Sequence, residues 1–210
     1  EERQGDYTEK VVYLPDTFMP QEAQRPLAGR EPSRAENGLP ENAFVFCCFN
    51  HPWKFSPAMY EIWLRLLSQV DDSVLWLSKG NAIAEKNLRL TAEKAGVAPE
   101  RILFAVRTEK LEDHLARHRL ADLFLDSFPY NAHATAADAL VAGLPVLTCK
   151  GRTFAGRVGA SLLRAAGLPE LVTESLESYR ALALELAHNR NKLNELKAKL
   201  ASNRQTQPLF

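Results

Sequence analysis

Short apolar runs alternate with segments of helical spacing along most of this chain, and no other feature limits its possible folds as tightly. Ala43 to Phe49 (AFVFCCF) is apolar at every position, which suits a strand covered on both faces. SPAMYEIWLRLLSQV follows soon after, with Ser56 placed to N-cap and Pro57 at the first helical position. Met59, Ile62, Trp63, Leu66, Leu67 and Val70 then recur at helical spacing. The pattern continues as strand Ser73 to Leu77, helix Asn81 to Ala95 stopped by Gly96, strand Ile102 to Ala105, helix Lys110 to His118 and strand Ala121 to Asp126. Helix Thr135 to Ala142 ended by Gly143, strand Pro145 to Thr148, helix Thr153 to Ala166 and a short strand at Leu171 and Val172 extend it. Ser175 caps a further helix with Tyr179, Leu182, Ala183 and Leu186 as its buried stripe, and Leu193, Leu196 and Leu200 line a last one. Such alternation predicts an α/β fold, a doubly wound parallel sheet with helices on both faces.

The first 41 residues depart from this pattern. Pro15, Pro20, Pro26, Pro32 and Pro40 interrupt a charged stretch with one short strand candidate, Val11 to Leu14. That is the composition of an arm or linker, so residues 1–41 are set apart from a lobe over 42–210. Lys plus Arg and Asp plus Glu are both 26, with no basic run, so no nucleic-acid footprint is expected. Cys47, Cys48 and Cys149 lack metal-ligand spacing and read as buried free thiols of a reducing compartment. No run approaches the roughly 18 apolar residues of a membrane span and no signal-peptide pattern opens the chain, so the expectation is a cytoplasmic protein without membrane contact. The polar opening on Glu1, without a methionine, reads as a piece of a longer polypeptide.

Ligands of a doubly wound sheet sit beyond the carboxyl ends of its strands, so the segments that follow the strands carry the chemistry. They hold Lys54, Lys79, Arg107, His133 and Lys150 among hydroxyls and amides, a set that suits a phosphate group. The segment LFLDSFPYNAHATAADALVAGLPVL, Leu123 to Leu147, has a longer polar loop than the roughly 2–6 residues such connections need. A helix starting near Ala134 would turn free N–H groups and its positive end toward an anion. Thr135 adds a hydroxyl, the small Ala134, Ala136 and Ala137 allow close approach, and Asp138 lies one turn on, within reach of a sugar hydroxyl. Plainer roles stand beside these. His133 could cap the helix or bond a nearby carbonyl, Lys54 could be a solvated lysine, and Asp138 could pair with an arginine such as Arg157. Asp71 and Asp72 precede a strand and read as a turn on the opposite edge. No Asp-x-Asp pair follows a strand, so no divalent-metal holder is expected.

FCCFNHPWK (Phe46 to Lys54), SVLWL (Ser73 to Leu77), HLARHRLADLFLDSFPYNAHATAADALVAGLPVLT (His114 to Thr148) and GRTFAGRVGASLL (Gly151 to Leu163) together resemble the C-terminal half of the catalytic region of protein O-GlcNAc transferases, including bacterial relatives with tetratricopeptide repeats and Spindly-type fucosyltransferases. The segment YTEKVVYLPDTF, from Tyr7, resembles the stretch joining the two catalytic lobes. The resemblance implies the Rossmann-like C-terminal lobe of a GT-B glycosyltransferase that inverts the anomeric carbon, uses no metal or other cofactor, and moves N-acetylglucosamine from UDP-GlcNAc to Ser or Thr hydroxyls of proteins. The protein acceptor would be held by an N-terminal lobe and repeats that this chain does not contain, and the fragment alone is expected to catalyse little. By the same resemblance Lys54 contacts the donor diphosphate, His51 faces those phosphates where glutamine is common, and His133, Ala134 and Thr135 hold the phosphates and neighbouring sugar. Lys54 and His133 are the catalytic candidates. Asp138 matches the ribose-binding aspartate, and His114 and Arg117 line the uracil side. Ala134 stands where the family usually has a first threonine, and Lys150 and Arg152 where proline or acidic residues are common. GDP-fucose as donor and a non-catalytic nucleotide-binding module are the alternatives.

Overall fold

A computed structural model of the chain describes residues 4–22, 25, 29, 30 and 32–210. Its centre is a six-stranded parallel sheet in the order β3-β2-β1-β4-β5-β6. The strands are β1 (Phe44–Cys48), β2 (Ser73–Ser78), β3 (Ile102–Ala105), β4 (Leu123–Leu125), β5 (Val146–Cys149) and β6 (Val172–Thr173). Phe46 of β1 is in register with Leu75 on one side and Leu123 on the other. Every residue of β1 is buried, as a central parallel strand requires when helices cover the sheet.

The helices are α1 (Pro57–Gln69), α2 (Ala82–Lys94), α3 (Leu111–Arg117), α4 (Ala134–Val141), α5 (Val158–Ala165), α6 (Leu176–His188) and α7 (Arg190–Asn203). Their starts follow from local hydrogen bonding. Ser56 Oγ accepts from Met59 N at 3.3 Å, Asn81 Oδ1 from Ala84 N at 2.8 Å, and Ser175 with Ser178 forms a capping box. Gly143, at φ 87°, lets the chain turn sharply from α4 into β5, a conformation other residues adopt only with strain. Trp63, Trp76, Tyr179, Phe46 and Phe124 are the largest fully buried side chains of one continuous core. Trp63 Nε1 donates to Tyr179 OH at 3.3 Å, so α1 and α6 are joined by a polar bond inside that core.

Several element bounds differ from those the pattern predicts. Val11 to Leu14 forms no strand, because no neighbouring strand supplies ladder partners there. The helix expected from Thr153 begins at Val158, since Gly151, Gly156 and the Thr153 hydroxyl form a tight turn first: Gly151 N donates to Gly156 O at 2.6 Å and Gly156 N to Thr153 Oγ1 at 3.1 Å. The strand expected over Ala121 to Asp126 shortens to Leu123–Leu125, because the carboxylates at 122 and 126 work as side-chain acceptors at its two ends. At the amino end Asp122 takes Val45 N at 2.9 Å, Arg34 Nη2 at 3.0 Å and Arg190 Nη1 at 3.0 Å, and so ties the arm and α7 to the sheet. Asp71 and Asp72 form a turn on that same edge, and the three cysteines are free and buried. Among the described residues no helix is long and apolar enough to cross a membrane.

Candidate functional site

The chain leaves β1 toward β2 and β3, then returns to build β4, β5 and β6 on the other side. The loops after β1 and β4 meet at this switch point, joined by a bridge between Phe55 and Pro129, on the carboxyl edge where sheets of this order bind ligands in a crevice.

The loop after β1 supplies Asn50, His51 and Lys54. His51 is exposed and caps the short turn Pro52–Lys54, its Nδ1 accepting from Trp53 N at 3.5 Å. Lys54 is half-buried, with Nζ 4.5 Å from the centre of the Tyr130 ring and 5.8 Å from that of Trp53. Burial lowers its pKa, opposed by the negative charge of Asp126. It is thus a partly desolvated cation leaning on an aromatic face.

The loop after β4 runs from Asp126 through a cis Phe128–Pro129 bond to His133. Asn131 Nδ2 donates to Ser127 O at 2.9 Å and Cys149 O at 3.3 Å, and Asn131 N to Ala155 O at 3.0 Å, so this loop and the one after β5 are held together. The His133 side chain makes no capping bond to α4. Instead its ring stacks on Tyr130, centroids 5.1 Å apart, with Nε2 buried and unpartnered. Burial and then the Lys54 charge lower its pKa, while a hydrogen bond to the Ala155 backbone acts in the opposite sense. Lys54 and His133 thus both lie against Tyr130. Ala134 opens α4 and is exposed, at the helix end whose first amides have no partner within the helix. The Thr135 hydroxyl donates to Asn50 Oδ1, a partner that the residue pattern did not reveal.

Asp138 is paired with Arg25 of the arm, Nη1 to Oδ1 at 2.8 Å, and not with Arg157, which is exposed. Burial raises the Asp138 pKa and Arg25 lowers it. His114 Nε2 lies 3.9 Å from Asp138 Oδ2. Arg117 is buried, donating from Nη1 to Val106 O at 2.6 Å and from Nη2 to His114 Nδ1 at 2.6 Å, with its guanidinium over Phe49. A guanidinium can only donate, so His114 Nδ1 is the acceptor and Nε2 carries the proton, aimed at Asp138. Burial, then the charges of Arg117 and Arg25, hold His114 down to about 4, so it is neutral at pH 7. Beside this pair is a cavity of about 440 Å³ lined by Ser78, Lys79, Arg107, Thr108, His114 and Arg117 among others.

The predicted residues therefore fall in two neighbouring groups. Lys54 and His133 meet at Tyr130, with Ala134 and Thr135 opening α4 next to them and His51 on the exposed turn before Lys54, and His114 with Arg117 lines a cavity on the other side of Asp138. Lys150 is drawn away, its Nζ 3.2 Å from Glu174, and Arg152 is exposed. Asn50, Asp126, Tyr130 and Arg25 were not singled out as site residues. A charged residue closing the apolar run LFLD was the available signal for Asp126. Arg25 had none, since its partner lies 113 positions away. Among the described residues no group of three or more His, Cys, Asp or Glu side chains is placed to hold a metal.

A six-stranded parallel sheet in this order, with helices on both faces, is a Rossmann-like lobe, and the solved structures it superposes on include GT-B glycosyltransferases. Residues 24–210 match the model of glycosyl transferase family 41, and the chain belongs to that family. Over 210 residues it is 39% identical to the probable UDP-N-acetylglucosamine–peptide N-acetylglucosaminyltransferase SEC of Arabidopsis thaliana, which covers 97% of this chain and 21% of that protein. A Caenorhabditis elegans UDP-N-acetylglucosamine–peptide N-acetylglucosaminyltransferase is 36% identical over 178 residues, 85% of this chain and 15% of its own length. The chain thus spans about a fifth or less of these relatives. Among solved structures, a mutant of the Thermobaculum terrenum O-GlcNAc transferase superposes with a TM-score of 0.86 at 30% identity, covering 98% of this chain and 39% of that one. WaaG, a glycosyltransferase involved in lipopolysaccharide biosynthesis, shares the fold at a TM-score of 0.69 and 19% identity, covering 99% of this chain and 56% of its own.

Proposed function

We propose that this chain is the donor-binding lobe of an inverting, metal-independent glycosyltransferase that moves N-acetylglucosamine from UDP-GlcNAc to Ser or Thr hydroxyls of proteins. In this reading residues 1–41 are the arm between lobes and 42–210 the lobe itself. The observation that carries it is the placing on one sheet edge of the cavity beside His114 and Arg117, Asp138 next to His114, the start of α4, and Lys54 over Tyr130. In that order they would take a base, a ribose and, at the start of α4 and Lys54 together, a diphosphate.

The acceptor hydroxyl attacks the anomeric carbon in line, and UDP leaves from the opposite side. The charge that grows on the departing diphosphate meets Lys54 and the amides at the α4 start, both in place before reaction. Removing one such donor costs about 2.7–4 kcal/mol of barrier. Thr135 contributes differently from a free hydroxyl. Its proton is given to Asn50, so it presents lone pairs until a ligand oxygen competes for that proton. The acceptor groove and the general base lie outside this chain.

Calorimetry on the full-length protein with UDP and GDP tests the donor class, and labelled sugar transfer from UDP-GlcNAc to protein tests the activity. The reading expects UDP to bind more tightly than GDP and label to appear on Ser or Thr. Tighter GDP binding would point to a fucose donor, and UDP binding without transfer to a silent binder.

A further inference from the structure

Behind the crevice is a carboxylate that donor chemistry leaves unused. Asp126 follows β4 directly and is wholly buried. Its Oδ1 accepts from Ser127 N at 2.7 Å and from Ala132 N at 2.6 Å, with Asn50 Nδ2 at 3.5 Å, and its Oδ2 accepts from Thr148 Oγ1 at 2.6 Å. The two amides bracket the loop that leads into α4, so one side chain sets where His133 and the free N–H groups behind it stand.

A second branch runs forward. Ser127 Oγ donates to Tyr130 O at 2.7 Å, so its lone pair takes the hydrogen of Asn50 Nδ2, also at 2.7 Å. That bond, with Asp126 alongside, turns Asn50 Oδ1 outward to the Thr135 hydroxyl. The chain has also left space for this carboxylate: a Cβ at Gly159 would collide with both Asp126 Oδ2 and Thr148 Oγ1. An ordinary structural carboxylate looks different. Asp122, at the opposite edge of the sheet, is matched by cations from the arm and from α7. Among the described residues Asp126 forms no salt bridge and is compensated by hydrogen-bond donors, two of the four being amides of the loop that leads into α4.

We propose that Asp126 is the positioning residue of the donor site, holding the 127–132 loop and, through Asn50, the Thr135 hydroxyl in register with the start of α4. The assignment rests on the crevice being the nucleotide-sugar site. Asp126 touches no ligand and acts through Ser127, Ala132 and Asn50.

The test is UDP affinity by calorimetry on the full-length protein for D126A, D126N, G159A and D122A, each with its thermal midpoint. D126A and G159A are expected to weaken UDP by roughly tenfold or more, the scale of a lost oriented contact. D126N keeps an oxygen for the Ser127 and Ala132 amides and is expected to stay within about threefold of the unmodified protein. D122A is expected to lower the midpoint while UDP affinity holds within about twofold. An effect of D126A no larger than that of D122A, or D126N as weak as D126A, overturns the assignment. Should D126A not fold, unchanged affinity in G159A overturns it equally. Absence of UDP binding in the unmodified protein would overturn the donor reading itself and this assignment with it.

Discussion

Arg25 Nη1 donates to Asp138 Oδ1 at 2.8 Å, joining the proline-rich arm to the first turns of α4. Both side chains are largely buried, and Gln21 Oε1 holds the same nitrogen at 3.1 Å. The pair places a neutralised carboxylate, and not a bare one, at the site proposed for the donor's ribose. Arg25→Ala would restore a net negative charge there, and UDP affinity should fall several-fold, on the order of 1 kcal/mol. Arg25→Lys should recover part of it. Calorimetry at low and moderate salt reads this directly, and unchanged affinity in Arg25→Ala would show that the arm is not part of the donor site.

How much of this was legible in the residues depends on the range of the interactions involved. The strands and most helices follow from apolar runs, N-caps and glycine stops, all of them local signals. Lys54, Thr135 and Asp138 could be placed on the ligand edge because they follow strands or open a helix. Their partners could not. Asn50 meets Thr135 across 85 positions and Arg25 meets Asp138 across 113, and neither pairing has a local pattern to announce it. The late start of α5 was missed for a related reason: the Thr153 hydroxyl and two glycines stabilise a turn where side-chain periodicity alone reads as helix.

Tyr179 offers a test of the core that leaves the crevice side chains in place. Its hydroxyl accepts from Trp63 Nε1 and donates to Asp126 O at 3.1 Å, all three groups being buried. Tyr179→Phe would strand an indole N–H and a carbonyl at once, a loss of about 1–3 kcal/mol. The thermal midpoint should drop by several degrees, given roughly 2–4 °C per kcal/mol at this chain length. No drop would mean that the Trp63–Tyr179–Asp126 chain carries no net stability.

Two buried groups should bend the pH dependence of stability in opposite directions. Burial holds His118 down to about 3 from an ordinary 6.5, so between those values the unfolded chain takes up a proton the fold refuses, and acid destabilises. Burial pushes Asp126 up to about 7 from 3.8, despite its hydrogen bonds to Thr148, Ala132 and Ser127. Its contribution is present below the unfolded value and is lost as pH rises through the folded one. Denaturant unfolding between roughly pH 4 and 8 should therefore show a steeper fall toward acid in Asp126→Asn and a shallower one in His118→Gln than in the unmodified protein. Parallel curves for all three would contradict the assigned burial of both groups.

The most direct measurement compares UDP with uridine in the full-length protein, with and without Lys54. If the crevice cradles a diphosphate, UDP should bind roughly a hundredfold more tightly than uridine, and Lys54→Ala should weaken UDP by about tenfold or more while leaving uridine unchanged. Equal affinity for UDP and uridine, or a Lys54→Ala variant that binds UDP as the unmodified protein does, would contradict the account.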